Sequence, residues 1–152
     1  MENRAEWRLG AENMLDGLCE EWIKCDVAKS DTSFIVTSLI QGFDSTRIIL
    51  DDEKKIVEII FEGYPPVLRS TDEGIRMRTW NEVQEKYKDK AYFRGCFLYY
   101  VQNSKLIEWA VEESCGFYEK DRLKHYCVVT STDLIDVLTG VEPKIVVKEV
   151  GA

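Results

Sequence analysis

Three short runs near the middle of the chain, FIVTSLI (34–40), TRIIL (46–50) and KIVEIIF (55–61), constrain its fold more than any other feature. Each is rich in β-branched residues, whose stiff side chains suit a pleated surface better than a helix. Gly42 ends the first run, Asp51-Asp52-Glu53-Lys54 separates the second from the third, and Gly63 follows the third. Strand-length runs with turn residues between them predict an antiparallel meander. In the third run Ile56, Glu58 and Ile60 share one face, while Val57, Ile59 and Phe61 share the other. The uniformly apolar Val57 face is expected to be fully buried, and the face carrying Glu58 only in part.

Upstream, Trp7, Ala11, Met14/Leu15, Leu18 and Trp22 recur at spacings of three and four, with Glu12, Asp16, Glu20 and Glu21 between them. That period predicts an amphipathic helix over 5–27, weakened but not broken by Gly17. Downstream, Tyr64-Pro65-Pro66 closes the meander, because paired prolines cannot continue a central strand. Residues 72–87 read as a strand through Ile75, Met77 and Thr79 running into a short helix from Trp80 to Tyr87. CFLYYVQ (96–102) reads as a strand, and Ser104 as the N-cap of a helix ending at Gly116. KHYCVVT (124–130) is a further strand. Ser131 or Thr132 is then expected to cap a short helix, with Asp133 in its first turn and Gly140 at its end. KIVVKEV (144–150) is the last strand. The expected architecture is a single α+β domain over 1–152. It has a mostly antiparallel sheet, with an N-terminal helix and two short C-terminal helices packed on it. The β-α-β-α-β order of the last third also allows parallel pairs through right-handed crossovers.

Length and composition fit one globular domain. The chain has 152 residues, and its 4 Trp, 7 Tyr and 6 Phe can fill a core of ordinary size. No run approaches the roughly 20 apolar residues of a membrane span. The opening MENRAEWRLG has no apolar centre of a secretory kind, so the expected compartment is the cytoplasm. Five cysteines, an odd number and mostly within apolar patterns, read as reduced thiols rather than a disulfide framework. With 28 acids against 20 bases the formal net charge is −8. A surface of that sign repels nucleic acid and anionic lipid, and it speeds encounter with a basic partner.

The search for chemistry is limited by a single histidine, His125. His125 and Cys127 are two apart on a predicted strand and share a face. With Cys115 or Cys96 and an acid such as Glu119 they could form a zinc-like set, but the usual close cysteine pairs are absent, so no metal is expected. A Cys–His nucleophile is disfavoured at Cys115, which lies at a predicted helix C-terminus where the dipole raises a thiol pKa. No glycine-rich phosphate loop is present. No catalytic residue and no cofactor are assigned. Tyr92, Phe93, Phe97, Tyr99 and Tyr100, near Arg94, are expected in the core rather than stacked on bases.

The run from Phe97 to Gln102, then Asn103-Ser104, the helix with Trp109, Glu112-Glu113-Ser114, His125-Tyr126, Thr130, Asp136-Val137-Leu138 and Pro143 together resemble small bacterial proteins, some of the immunity type that neutralises secreted toxins. The resemblance spans roughly residues 55–145 and implies a cytoplasmic inhibitor with no active site; it assigns no residues. Two functions follow as expectations. The first is a non-catalytic protein-binding module for a basic partner, with Glu12, Asp16, Glu20 and Glu21 forming the acidic face of the first helix. The second is a small-ligand-binding protein or enzyme, with Arg69, Arg76, Arg78 and His125 orienting an anion in a pocket between sheet and helices. A homodimer through a sheet edge or helix surface is a third.

Overall fold

The computed structural model describes residues 18–150. The meander forms as the runs predict: β2 (Ile35–Gln41), β3 (Ser45–Asp51) and β4 (Lys55–Glu62) pair antiparallel, after a short β1 (Glu21–Lys24). Ile48 stands opposite Ile59 and Leu50 opposite Val57, so the apolar faces coincide. Val57, Ile59 and Phe61 are buried, while Ile56, Glu58 and Ile60 are half-buried. The last strand, β9 (Lys144–Glu149), adds to β4 and completes a four-stranded sheet in the order β2-β3-β4-β9.

The second sheet holds five strands in the order β1-β6-β7-β8-β5. Its members besides β1 are β5 (Val67–Asp72), β6 (Leu98–Gln102), β7 (Lys124–Val129) and β8 (Asp133–Thr139). Every residue of β7 and β8 after the first is buried, so this sheet is covered on both sides. Tyr126 turns toward the four-stranded sheet, with its ring 6.1 Å from that of Phe61. His125 alternates to the opposite face, where two helices lie. They are α1 (Met77–Tyr87) and α2 (Lys105–Glu113). Leu106, Ile107 and Ala110 of α2 pack on Leu138 and Leu123, and Trp80 of α1 packs on Phe93, 4.4 Å between rings. Each of these leucine and isoleucine side chains contributes about 1.5–3 kcal/mol by leaving water. The layers run four-stranded sheet, five-stranded sheet, helices.

Three expectations are corrected. The helix predicted over 5–27 is not present in its described part: Trp22 lies in β1, opposite Val101 of β6, and a single 3-10 turn, Asp26–Ala28, follows. Residues 5–17 lie outside the described residues. Trp22 satisfied a helical period, but the β6 edge offered a ladder and an aromatic pocket, and tertiary pairing overrides so weak a pattern. The helix expected after Ser131 is strand β8. Its sequence, DLIDVLT, is apolar on both faces because both are covered, so it shows no alternation. Where Ser131 or Thr132 is expected to cap a helix, Thr130 makes a turn, its hydroxyl accepting the N–H of Asp133 at 3.0 Å. With that helix gone, the strand pairs of the last third are antiparallel rather than parallel crossovers. Finally, the strand expected through Ile75 to Thr79 lies earlier, at β5, and a 3-10 turn, Glu73–Arg76, leads directly into α1. The helices on the sheet are thus one from mid-chain and one from the last third.

The N-cap expectation holds: the Ser104 hydroxyl accepts the N–H of Ile107 at 3.1 Å. All five cysteines are free; Cys96 and Cys127 are buried, Cys25 is half-buried, and Cys19 and Cys115 are at the surface. Among the described residues no helix is long and apolar enough to cross a membrane.

Candidate anion-binding cleft

The site begins with a carboxylate in the middle of the central sheet. Asp136 of β8 is paired in register with Cys127 of β7 on one side and Arg69 of β5 on the other. All three therefore point to the helix-bearing face. Arg69 places both Nε and Nη2 2.9 Å from Asp136 Oδ2. Arg76, at the end of the 3-10 turn, brings Nη1 to the same oxygen at 2.5 Å. On Oδ1, His125 Nε2 lies at 2.8 Å. Asp136 is 0% exposed, and an isolated charge there would be costly. Burial pushes its carboxyl upward in pKa, but the hydrogen bond from His125, with the charges of Arg76 and Arg69, outweighs burial. The carboxyl is held far below the ordinary carboxylate range.

The network continues beyond the imidazole. His125 Nδ1 is 2.7 Å from the Ser104 hydroxyl, whose oxygen already accepts the α2 N–H. One assignment gives every group a partner: Ser104 donates to Nδ1, and the imidazole donates from Nε2 to Asp136. The order Ser–His–Asp resembles a hydrolase relay, but the hydroxyl here caps a helix and is 3% exposed. Ser104 is also absent from the cleft lining. The chain Ser104–His125–Asp136 positions the two arginines instead.

Those arginines reach a cleft of about 690 Å³ between the five-stranded sheet and the two helices. That size is typical of small-molecule sites, roughly 300–1,000 Å³. Its apolar walls are Leu18, Trp22, Val67, Leu68, Leu106 and Trp109. Its charged lining sets four cations, Arg69, Arg76, Arg78 and Lys105, against two carboxylates, Glu20 and Glu82. In a chain with net charge −8, this is a local reversal of sign.

All four residues of the pocket expectation, Arg69, Arg76, Arg78 and His125, line this cleft. They contribute differently. Arg69 is 42% exposed and Arg76 only 11%, while His125 is buried at the floor. Arg78 sits at the start of α1, with Nε 3.0 Å from Glu82 Oε1. Of the residues expected on an acidic helix face, Glu20 is buried and lines the cleft. Its carboxylate accepts from the backbone N–H of Lys105 at 2.9 Å and from Trp22 Nε1 at 3.3 Å. Glu21 is paired with Lys86 at 3.1 Å, and the hydrogen bond and charge of that lysine lower its pKa. Glu12 and Asp16 lie outside the described residues.

Asp136 was not singled out from the sequence as a site residue, although a signal existed. An acid enclosed by Leu, Ile and Val in DLIDVLT must find cations if it is buried, and the bases gathered from Arg69 to Arg94 are one source of them. His125 and Cys127 do share a face as their spacing predicts. The Cys127 thiol is inert, its pKa pushed well up by burial and then by Asp136. Among the described residues no group of three His, Cys, Asp or Glu side chains could hold a metal ion.

No protein-family model matches the chain, and neither the curated proteins nor the solved structures contain a significant match to it.

Proposed function

We propose that this chain is a small-ligand-binding protein that holds an anionic molecule in the cleft between the five-stranded sheet and its helices. The observation that carries the reading is the pair Arg69 and Arg76, braced on buried Asp136 at the floor of a 690 Å³ cleft. Preorganised guanidinium groups bind anions with little loss of side-chain freedom. The role is binding rather than catalysis, because Ser104 does not line the cleft and both ring nitrogens of His125, which does, are taken by Ser104 and Asp136. Differential scanning fluorimetry against a panel of small organic anions tests it. Stabilisation by one or more anions, abolished by Arg69→Ala, is expected; shifts of equal size in wild type and variant would rule the cleft out.

A protein-binding role of the immunity type is the second reading. It is favoured by three aromatic side chains on and after α2 that remain exposed: Trp109, Phe117 and Tyr118. Net charge −8 supports a basic partner. A partner captured from native lysate and lost on Phe117→Ala, with Arg69→Ala harmless, would favour this role over the cleft. The free cysteines, two of them buried, support a reducing compartment such as the cytoplasm.

A further inference from the structure

We infer that the ligand of the cleft is a monocarboxylate with an apolar, ring-sized body; this rests on the reading of the cleft as a ligand site. The charge balance at the floor sets the charge of the guest. Arg69 and Arg76 share one carboxylate, Asp136, whose Oδ2 accepts from Arg69 Nε and Arg76 Nη1 and has Arg69 Nη2 at 2.9 Å. Arg78 is engaged by Glu82. Two guanidinium charges against one carboxylate leave a single positive charge for a guest to neutralise. A phosphate monoester, carrying close to two negative charges at neutral pH, would bring a second that the floor does not balance. Glu20, a buried carboxylate in the same lining, offsets the charge of Lys105 there. Counted over the whole site, Arg69, Arg76, Arg78 and Lys105 against Asp136, Glu82 and Glu20 still leave one positive charge.

Geometry sets the headgroup. Arg69 uses Nε and Nη2 on Asp136, which leaves Nη1 and the outer hydrogen of Nη2. Two donors on one planar edge match the two oxygens of a carboxylate. Leu18, Leu106 and Trp109 add apolar surface to the same lining, and Trp109 is 52% exposed. An aromatic or compact acyl body matches that apolar surface while its carboxylate meets the arginines.

Calorimetric titration decides it with 3-phenylpropionate, indole-3-propionate and octanoate, each beside its matched phosphate monoester and primary amide. For at least one body, the expected result is a carboxylate at least ten-fold tighter than both the phosphate and the amide. Arg69→Ala should remove that preference, and so should Arg69→Lys, which keeps the charge and loses the planar fork. Circular dichroism confirms that both variants fold. A phosphate tighter than its carboxylate overturns the monocarboxylate inference while leaving an anion-binding cleft in place. Amides equal to acids, or no binding by any compound, overturn both. A preference that survives in Arg69→Lys overturns the bidentate geometry on which the inference stands.

Discussion

His125 and Asp136 stand diagonally across β7 and β8, with Nε2 2.8 Å from Oδ1 and both side chains sealed from solvent. This contact joins the only histidine of the chain to a carboxylate that also holds two arginines. It connects the cap of α2 to the floor of the cleft through one continuous hydrogen-bonded path, from Ser104 to Arg69.

Removing the charge at the centre of that path is expected to be severe. Asp136→Asn leaves Arg76, 11% exposed, facing an amide in place of its counter-ion. Breaking a buried ion pair from one side costs about 3–5 kcal/mol. Urea denaturation of the variant should show a loss in this range, with an unchanged m-value. A loss under 1 kcal/mol would mean that the arginines find solvent instead.

The same carboxylate predicts a pH dependence. Its folded pKa lies below its unfolded value, which is about 3.9. Its contribution is therefore fully present well above that value and is lost as pH falls toward the folded pKa. Wild-type stability should lose this contribution progressively below about pH 4.5, whereas Asp136→Asn should lack that part of the acid slope. Denaturation midpoints between pH 7 and pH 2.5 measure the difference; parallel curves for the two proteins would contradict it.

Ser104→Ala removes a helix cap and the donor to His125 Nδ1 together. Loss of a cap costs about 0.5–2 kcal/mol, and a buried acceptor without a donor about 1–3 kcal/mol. Total loss should exceed that of an ordinary cap deletion. Faster amide exchange at Ile107 should accompany it, with ligand affinity changed far less than by Arg69→Ala. Abolished binding in this variant would show that the path acts on the guest more directly than through positioning.

Lys86 ties the segment before β1 to α1: its Nζ donates to the carbonyls of Leu18 at 2.9 Å and Glu20 at 2.8 Å. Lys86→Met keeps the aliphatic stem and removes these bonds. Protease cleavage near residues 18–20 should become faster, at a stability loss of about 1–2 kcal/mol. Unchanged cleavage would show that the Trp22 packing alone holds this segment.

Strands that alternate or end at clear turns were legible in the sequence. KIVEIIF shows two distinct faces because one side of its sheet is covered more completely than the other. DLIDVLT hid its nature for the opposite reason, being covered on both faces, and its polar flanks imitate a helix cap. Trp22 misled because one aromatic at helical spacing does not reveal that a distant strand, β6, needs an edge partner. The cleft was half legible. Arg69, Arg76, Arg78 and His125 stand out by charge and scarcity, whereas Asp136 and Glu20 acquire their roles only when strand register brings residues far apart in sequence together. Composition carries no register.

Arg69, the more accessible guanidinium of the pair at the floor, rides on β5, an edge strand that among the described residues pairs with β8 alone. Edge strands fray first, since only one flank is held by a ladder. A guest gripped by Arg69 would thus work as a removable fastener, adding a second flank to a strand that otherwise has one. Occupancy should then be readable far from the guest, as slowed hydrogen exchange along Val67 to Asp72, while the doubly flanked β7 stays as it was.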